Sequence, residues 1–407
     1  MSEIEFAKKI NDVGGRVFIV GGWVRDFLRG KEPHDKDFVI SGLSDAEFEA
    51  LFPEAVRVGK SFPVYLLMID GEMSEIALAR TEQKTGHGYT GFAVHSDKQI
   101  TIEDDLYRRD STINAIAMEL PMGNIIDPYG GIEDIKSQTI RAVSEHFLED
   151  PVRSLRAARQ AATFAYMISD ETVEYMKKTR DELLTEPAER IFGEMQKALT
   201  ADKPSVFFRQ LKRAELLEAV FPEIAALCGK TQPVEFHPEG DAFDHSLDIL
   251  DKVAAEVSDD AVRFAALVHD LGKGTTPKEM EPHHYGHEQR GLVELDKWNQ
   301  RMTLPKKWLQ IAEFVIKEHM RAPRLEKLGK IVDLLTEINR MPVNASDILE
   351  IFFADHKGLP DYLIEYTDNL KLILSVNGKN APELLSGPKV GEWIKAEQIR
   401  LLQRKYR

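Results

Sequence analysis

The chain has 407 residues, 43% of them apolar, which is enough for about two to four globular domains and excludes wholesale disorder. A formal charge of −15 excludes a protein that coats nucleic acid indiscriminately, though it leaves room for a shaped basic groove. With Cys228 as its one cysteine the chain can form neither an internal disulfide nor a thiolate metal cluster, so any metal must sit on oxygen and imidazole. No apolar run reaches membrane-spanning length, and the first residues lack the basic start and apolar core of a signal peptide. The expected location is the cytoplasm, without membrane contact. The acidic excess lies mostly before residue 226; residues 301–330 and 389–407 are basic and read either as solvated helix faces or as a track for a phosphate backbone.

Residues 16–20, 37–40, 64–69, 75–79 and 125–126 carry β-type side chains near Gly, Pro or Asp, which predicts strands. From about residue 141 the period changes. Apolar positions at three and four spacing over 151–166, 186–199, 203–220, 261–271, 308–320 and 345–354 predict helices. The expected fold class is an α+β head with a mixed sheet followed by an all-α body. A second break falls over 227–240, where Gly229, Pro233, Pro238 and Gly240 interrupt the periodicity.

The run Val17 to Val20 followed by Gly21-Gly22 and Arg25 reads as strand, turn and helix start, with Gly22 and Arg25 placed to meet phosphates. Asp35 and Asp37 precede an apolar strand. Residues i and i+2 of a strand share a face, so their carboxylates are expected to converge and hold hard cations such as Mg2+, with Glu75 as a third member if its strand lies alongside. The segment 103–115 supplies Arg109 as a phosphate clamp, with Asp110 and Asn114 for a ribose or for orienting neighbours, before an apolar run expected to be helical. The bland alternative is a capped helix with Asp110 or Ser111 at its start.

Gly21-Gly22-Trp23-Val24-Arg25-Asp26, the Asp35/Asp37 pair, Arg108-Arg109-Asp110 with Asn114, and Asp127-Pro128-Tyr129-Gly130-Gly131 together resemble the class II tRNA nucleotidyltransferases, the CCA-adding enzymes. The resemblance implies a polymerase-β-like head, a hinge at Asp127 to Gly131, and a mobile loop for which residues 81–98, with Gly86, Gly88 and Gly91, are the counterpart.

In the neck, Asp150 and Arg153 stand three residues apart at a helix start led by Pro151. Asp150 reads by itself as a helix cap. Cytosine and adenine both present an amino donor beside a ring-nitrogen acceptor, whereas uracil and guanine present a carbonyl beside N–H, so a carboxylate next to a guanidinium selects C and A. The resemblance carries Asp150 and Arg153 over as the protein template and Arg156 and Arg159 as triphosphate ligands. Gln160 stands where the family often has Phe, and a packing change is expected there. Glu186 to Arg190 resembles the next family motif, with a structural role.

In the body, His245, His269-Asp270 and Asp355 fall on three predicted helices. Imidazole and carboxylate suit Mg or a divalent transition metal if the helices bundle. The set resembles the HD phosphohydrolase superfamily, and Lys273, His284, His287 and His319 are candidates for phosphate contacts or a second metal. The expected domains are head 1–140, neck 141–227, HD domain 228–365 and helical tail 366–407. The resemblance to the bacterial multifunctional type implies addition of C, C and A to tRNA from CTP and ATP, together with phosphatase and 2′,3′-cyclic phosphodiesterase activity, in a monomer or homodimer. The alternatives are a poly(A) polymerase, which is expected to be more basic and to lack the HD set; a partial CC- or A-adding enzyme, of which the CC-adding kind is expected to lack the loop; and an HD phosphohydrolase whose head only binds RNA.

Overall fold

Val17, Phe18, Ile19 and Val20 of β1 (Arg16–Val20) are all buried, as expected of a strand covered on both faces, and β1 lies inside a seven-stranded sheet. The computed structural model describes residues 1–59, 63–84, 92–233, 235 and 240–406, without the side chains of 82–84, 92–96 and 380. The head continues through β2 (Asp37–Ser41), β3 (Val56–Val58), β4 (Val64–Ile69), β5 (Glu72–Leu78), the antiparallel pair β6 (Arg80–Lys84) and β7 (Phe92–Ser96), β8 (Ala117–Leu120) and β9 (Asn124–Ile126). The large sheet has the order β3-β4-β5-β2-β1-β8-β9, and only β2 and β5 run parallel, so it is mixed. Of the loop expected over 81–98, residues 85–91 with its three glycines lie outside the described residues, and most of the rest falls in β6 and β7.

One face of the sheet buries Phe18, Val20, Val39 and Ala117 against Ile102 and Leu106. On the other side the helix Glu3–Asn11 brings Phe6 to within 5.7 Å of Phe38 and 5.2 Å of Phe52. Each fully buried phenylalanine contributes roughly 1.5–3 kcal/mol, so these aromatics anchor β2 and with it Asp37. The apolar run after Asn114, expected as helix, follows a one-turn 3-10 helix, Thr112–Asn114, and is instead the strand β8. Periodicity cannot tell a short fully buried strand from a helix, and pairing with β1 decides it.

The described residues form two compact units, Met1–Ala198 with Val206–Val220, and Leu199–Ser205 with Phe221–Arg407. Beyond the head strands and a short parallel pair, Thr139–Ile140 with Met167–Ile168, both are helical. The run 203–220 is divided into Ser205–Arg213 and Leu217–Val220, with Glu215 between them in the left-handed region at φ 59°. The run 261–271 ends as a helix at Val268 and continues as the 3-10 helix Leu271–Thr275. Within the second unit, the buried Arg263 donates to the carbonyls of Leu199, Ala201, Ala254 and Val257 at 2.6–2.9 Å, satisfying acceptors that helix ends leave orphaned. Among the described residues no helix is long and apolar enough to cross a membrane.

Candidate active sites

In the head, β1 ends at Gly21, whose φ is +71°, and a Cβ there would lie 3.2 Å from a guanidinium nitrogen of Arg109. The positive φ favours glycine, and the helix Gly22–Leu28 then projects Arg25 and Arg29 to one side. Both guanidiniums stack on Phe164, at 4.5 and 4.4 Å from its ring centre, and Arg25 donates to the Asn114 side chain at 2.8 Å. These residues border a cavity of about 860 Å³, walled also by Asp37, Arg109, Asp110, Arg153, Arg156, Arg159, Gln160, Glu194 and Lys197. A cleft so rich in guanidinium groups suits a polyanion.

Several of these arginines are already oriented. Arg109 pairs with the fully buried Asp105 at 3.2 Å, and Arg108 pairs with the same carboxylate at 2.6 Å. Burial alone would raise Asp105, but the two arginines outweigh it and hold the group below the usual carboxylate range. Arg159 meets Glu194 at 2.6 Å and Arg156 meets Asp110 at 3.4 Å. Asp110 also accepts from Asn114 at 3.0 Å and Gln160 at 3.3 Å; burial opposes its charge, but Arg156 and the Asn114 hydrogen bond keep it low. Asp110 thus lies in the cavity wall, held by hydrogen bonds to its neighbours. Gln160 is buried and hydrogen-bonded at this point, consistent with a changed packing.

The register pairs Asp37 with Glu75 across the parallel strands, placing the two carboxylates side by side on one face. Asp35 is placed differently from the sequence reading. Strand β2 begins at Asp37, and Asp35 precedes it at φ 55°, so strand alternation does not set its direction. Its charge is felt all the same: the surrounding protein first, then Glu75 and Asp35, push Asp37 up against the pull of Arg109. Crowded carboxylates are a hard-oxygen donor set that fits a divalent cation.

Asp150 does not line the cavity, whereas Arg153 does. Both oxygens of Asp150 accept from Arg190, at 2.9 and 2.8 Å, and one also accepts the Val152 backbone N–H at 3.2 Å. Arg190 in turn meets Glu186 at 2.5 Å, and Arg153 donates to the His146 carbonyl at 2.9 Å. The sequence reading missed Arg190 as a partner of Asp150 and Arg29 and Phe164 as cavity walls. Helical spacing from Arg25 to Arg29 and from Gln160 to Phe164 was the available signal for the latter two.

The second unit brings His245, His269, Asp270 and Asp355 together. Nε2 of His245 lies 3.2 Å from Asp355, 3.5 Å from Asp270 and 3.3 Å from Nε2 of His269. Asp270 extends the cluster to His287 at 3.2 Å, His319 at 3.4 Å and Lys273 at 2.5 Å. The turn after Asp270 packs against the start of the helix His287–Met302 so closely that a Cβ on Gly272 would come within 1.9 Å of the His287 carbonyl. Nδ1 of His269, His287 and His319 lies 2.8–2.9 Å from a backbone carbonyl, which holds a proton there and turns Nε2 inward. His287 and His319 thus face each other with Nε2 atoms 3.0 Å apart, and Oδ1 of Asp270 is buried without a hydrogen-bond donor. Such an electron-rich pocket fits a cation. Among the described residues the ligand atoms of His245, His269 and Asp270, and of Asp270, His287 and His319, lie within 4.8 Å of one another. Burial opposes a charged His269, yet Asp270 beside it outweighs burial and raises it, while burial lowers His319.

Comparison with known proteins matches residues 17–141 to the Poly A polymerase head domain, 165–228 to the probable RNA and SrmB-binding site of polymerase A, and 242–349 to the HD domain. The Multifunctional CCA protein of Stenotrophomonas maltophilia (strain K279a) is 39% identical over 95% of this chain and 99% of its own length. The fold is similar to the Bacillus stearothermophilus CCA-adding enzyme in complex with CTP, at TM-score 0.67 and 22% identity over 99% of this chain and 92% of that one. It is also similar to the Thermotoga maritima CCA-adding enzyme complexed with tRNA, at TM-score 0.64 and 22% identity over 97% and 89%. With its head sheet, arginine-walled cleft and HD cluster, the chain belongs to the multifunctional CCA protein family.

Proposed function

We propose that this nucleotidyltransferase adds C, C and A in turn to the 3′ end of tRNA, taking CTP and ATP and releasing pyrophosphate. The observation that carries the reading is the cavity in which Arg25, Arg109, Arg153, Arg156 and Arg159 converge beside Asp37. Arg109, Arg156 and Arg159 hold the triphosphate, with Gly22 and Arg25 at the turn after β1. Asp150 accepts from the amino group of C or A while Arg153 donates to its ring nitrogen; U and G would set donor against donor and acceptor against acceptor. Arg190 fixes the Asp150 carboxylate for this purpose. Asp35, Asp37 and Glu75 hold Mg2+, which when bound offsets charge on the attacking and leaving oxygens.

In the same proposal the HD pocket hydrolyses phosphate monoesters and 2′,3′-cyclic phosphates. His245, His269, Asp270 and Asp355, with His287 and His319 beside them, hold one or more divalent ions, and Lys273 meets a phosphate oxygen. Support comes from the inward Nε2 atoms, the HD match and the family's multifunctional name. The partners are then tRNA, CTP and ATP. The test is to incubate the chain with tRNA ending before CCA and with CTP, ATP or both, and to sequence the 3′ ends. The expected products are CC with CTP alone and CCA with both; a poly(A) tail, a single addition or no extension would overturn the reading.

A further inference from the structure

In-line displacement at phosphorus places the attacking hydroxyl and the leaving pyrophosphate on opposite sides. The sheet order then assigns the sides. Gly21 and Gly22 follow β1 and border the arginine-walled cavity, so the triphosphate lies on the β1 side of β2. Asp37 lines that cavity but Glu75, on the β5 side, does not. The acceptor hydroxyl must therefore come across β5, β4 and β3.

Register places Asp37, Glu75, Leu66 and Val56 in one cross-strand row on one face, and Met73 and Met68 form the next row along it. The reverse face of these strands is closed by Tyr65, Leu67 and Ile76. On β3, β4 and β5 the carboxylate face is open: Val56 is 58% exposed, Met68 47% and Met73 60%. An apolar strip in line with reacting carboxylates calls for an occupant, and the reaction geometry names one.

We propose that Val56, Leu66, Met68 and Met73 seat the unpaired 3′-terminal nucleotides of the acceptor RNA. The proposal rests on the nucleotidyl-transfer reading of Asp37 and Glu75. Base faces pack on thioethers and branched aliphatic groups without reading base edges, so such a seat accepts any terminal base. That tolerance suits a strand whose last nucleotide changes with each addition.

Met68→Glu and Met73→Glu, singly and together, alter exposed positions in the full chain, and melting temperature checks that each variant folds. In steady-state kinetics with tRNA ending before CCA, the double variant should raise KM for tRNA about tenfold and leave KM for CTP within about twofold, because carboxylates repel the RNA and remove the apolar seat. Met122→Glu, which alters a 77% exposed side chain in the turn between β8 and β9, should leave both constants unchanged. If the glutamates unfold the head, Met68→Ser with Met73→Ser should still raise KM for tRNA about threefold. An active parent whose variants keep the parent KM for tRNA overturns the seat alone. A parent that transfers no nucleotide overturns the transfer reading and the seat with it.

Discussion

Arg190 lies outside the cavity, yet its grip on Asp150 fixes a carboxylate that the proposed template depends on. Arg190→Ala should therefore raise incorporation of UTP and GTP relative to CTP and ATP, as Arg153→Ala should; losing one such hydrogen bond costs roughly 1–3 kcal/mol of discrimination. Single-turnover incorporation of each nucleotide checks this, and unchanged ratios in both variants would remove Asp150 and Arg153 from base choice. Asp105 acts behind the cavity residues Arg108 and Arg109, with which it pairs. Its pKa is depressed in the folded chain, with burial outweighed by Arg108 and Arg109, so its contribution to stability is present above the unfolded value near 3.9 and is lost as pH falls through the lower folded value. Asp105→Asn should cost about 3 kcal/mol at pH 7, with the difference from the parent shrinking below about pH 4 in denaturant titrations.

At the level of elements, the strands around the two glycines and the helices that carry the HD set were legible because their apolar periods are long and their punctuation strong. Three features were not. Asp35 looked like part of β2 because the carboxylate spacing matched a strand, but the chain passes through the left-handed region before pairing starts. Strand β8 is only four residues long, too short to show a period, so its pairing with β1 identifies it. Arg190 is forty residues from Asp150, and a helical period gives a face but not the partner that face will meet. Arg263 carries an element-scale prediction. Arg263→Lys keeps the charge but not the planar fork that reaches four carbonyls, so it should still destabilise the second unit by about 2–4 kcal/mol, read as a lower denaturant midpoint. A variant as stable as the parent would show that those carbonyls find other donors.

For the whole molecule, no residue assigned to nucleotidyl transfer is also assigned to the HD pocket. His269→Ala with Asp270→Ala should abolish metal-dependent hydrolysis of a 2′,3′-cyclic nucleotide while CCA addition stays within a few-fold of the parent, once circular dichroism and melting temperature are matched. Full hydrolysis in a folded variant would make the cluster structural, and loss of CCA addition would show that the two activities are coupled. The pairing of β1 has a consequence for the order of synthesis. One edge of this strand is covered early, by β2, but the other waits for β8, which leaves the ribosome only after the whole stretch through Leu120 has been made. Until then the nascent head exposes an apolar strand edge, the kind of surface on which polysomes aggregate or trigger factors dock. Mutations that slow translation before Ala117 should therefore lower the yield of soluble protein without altering the stability of the finished molecule.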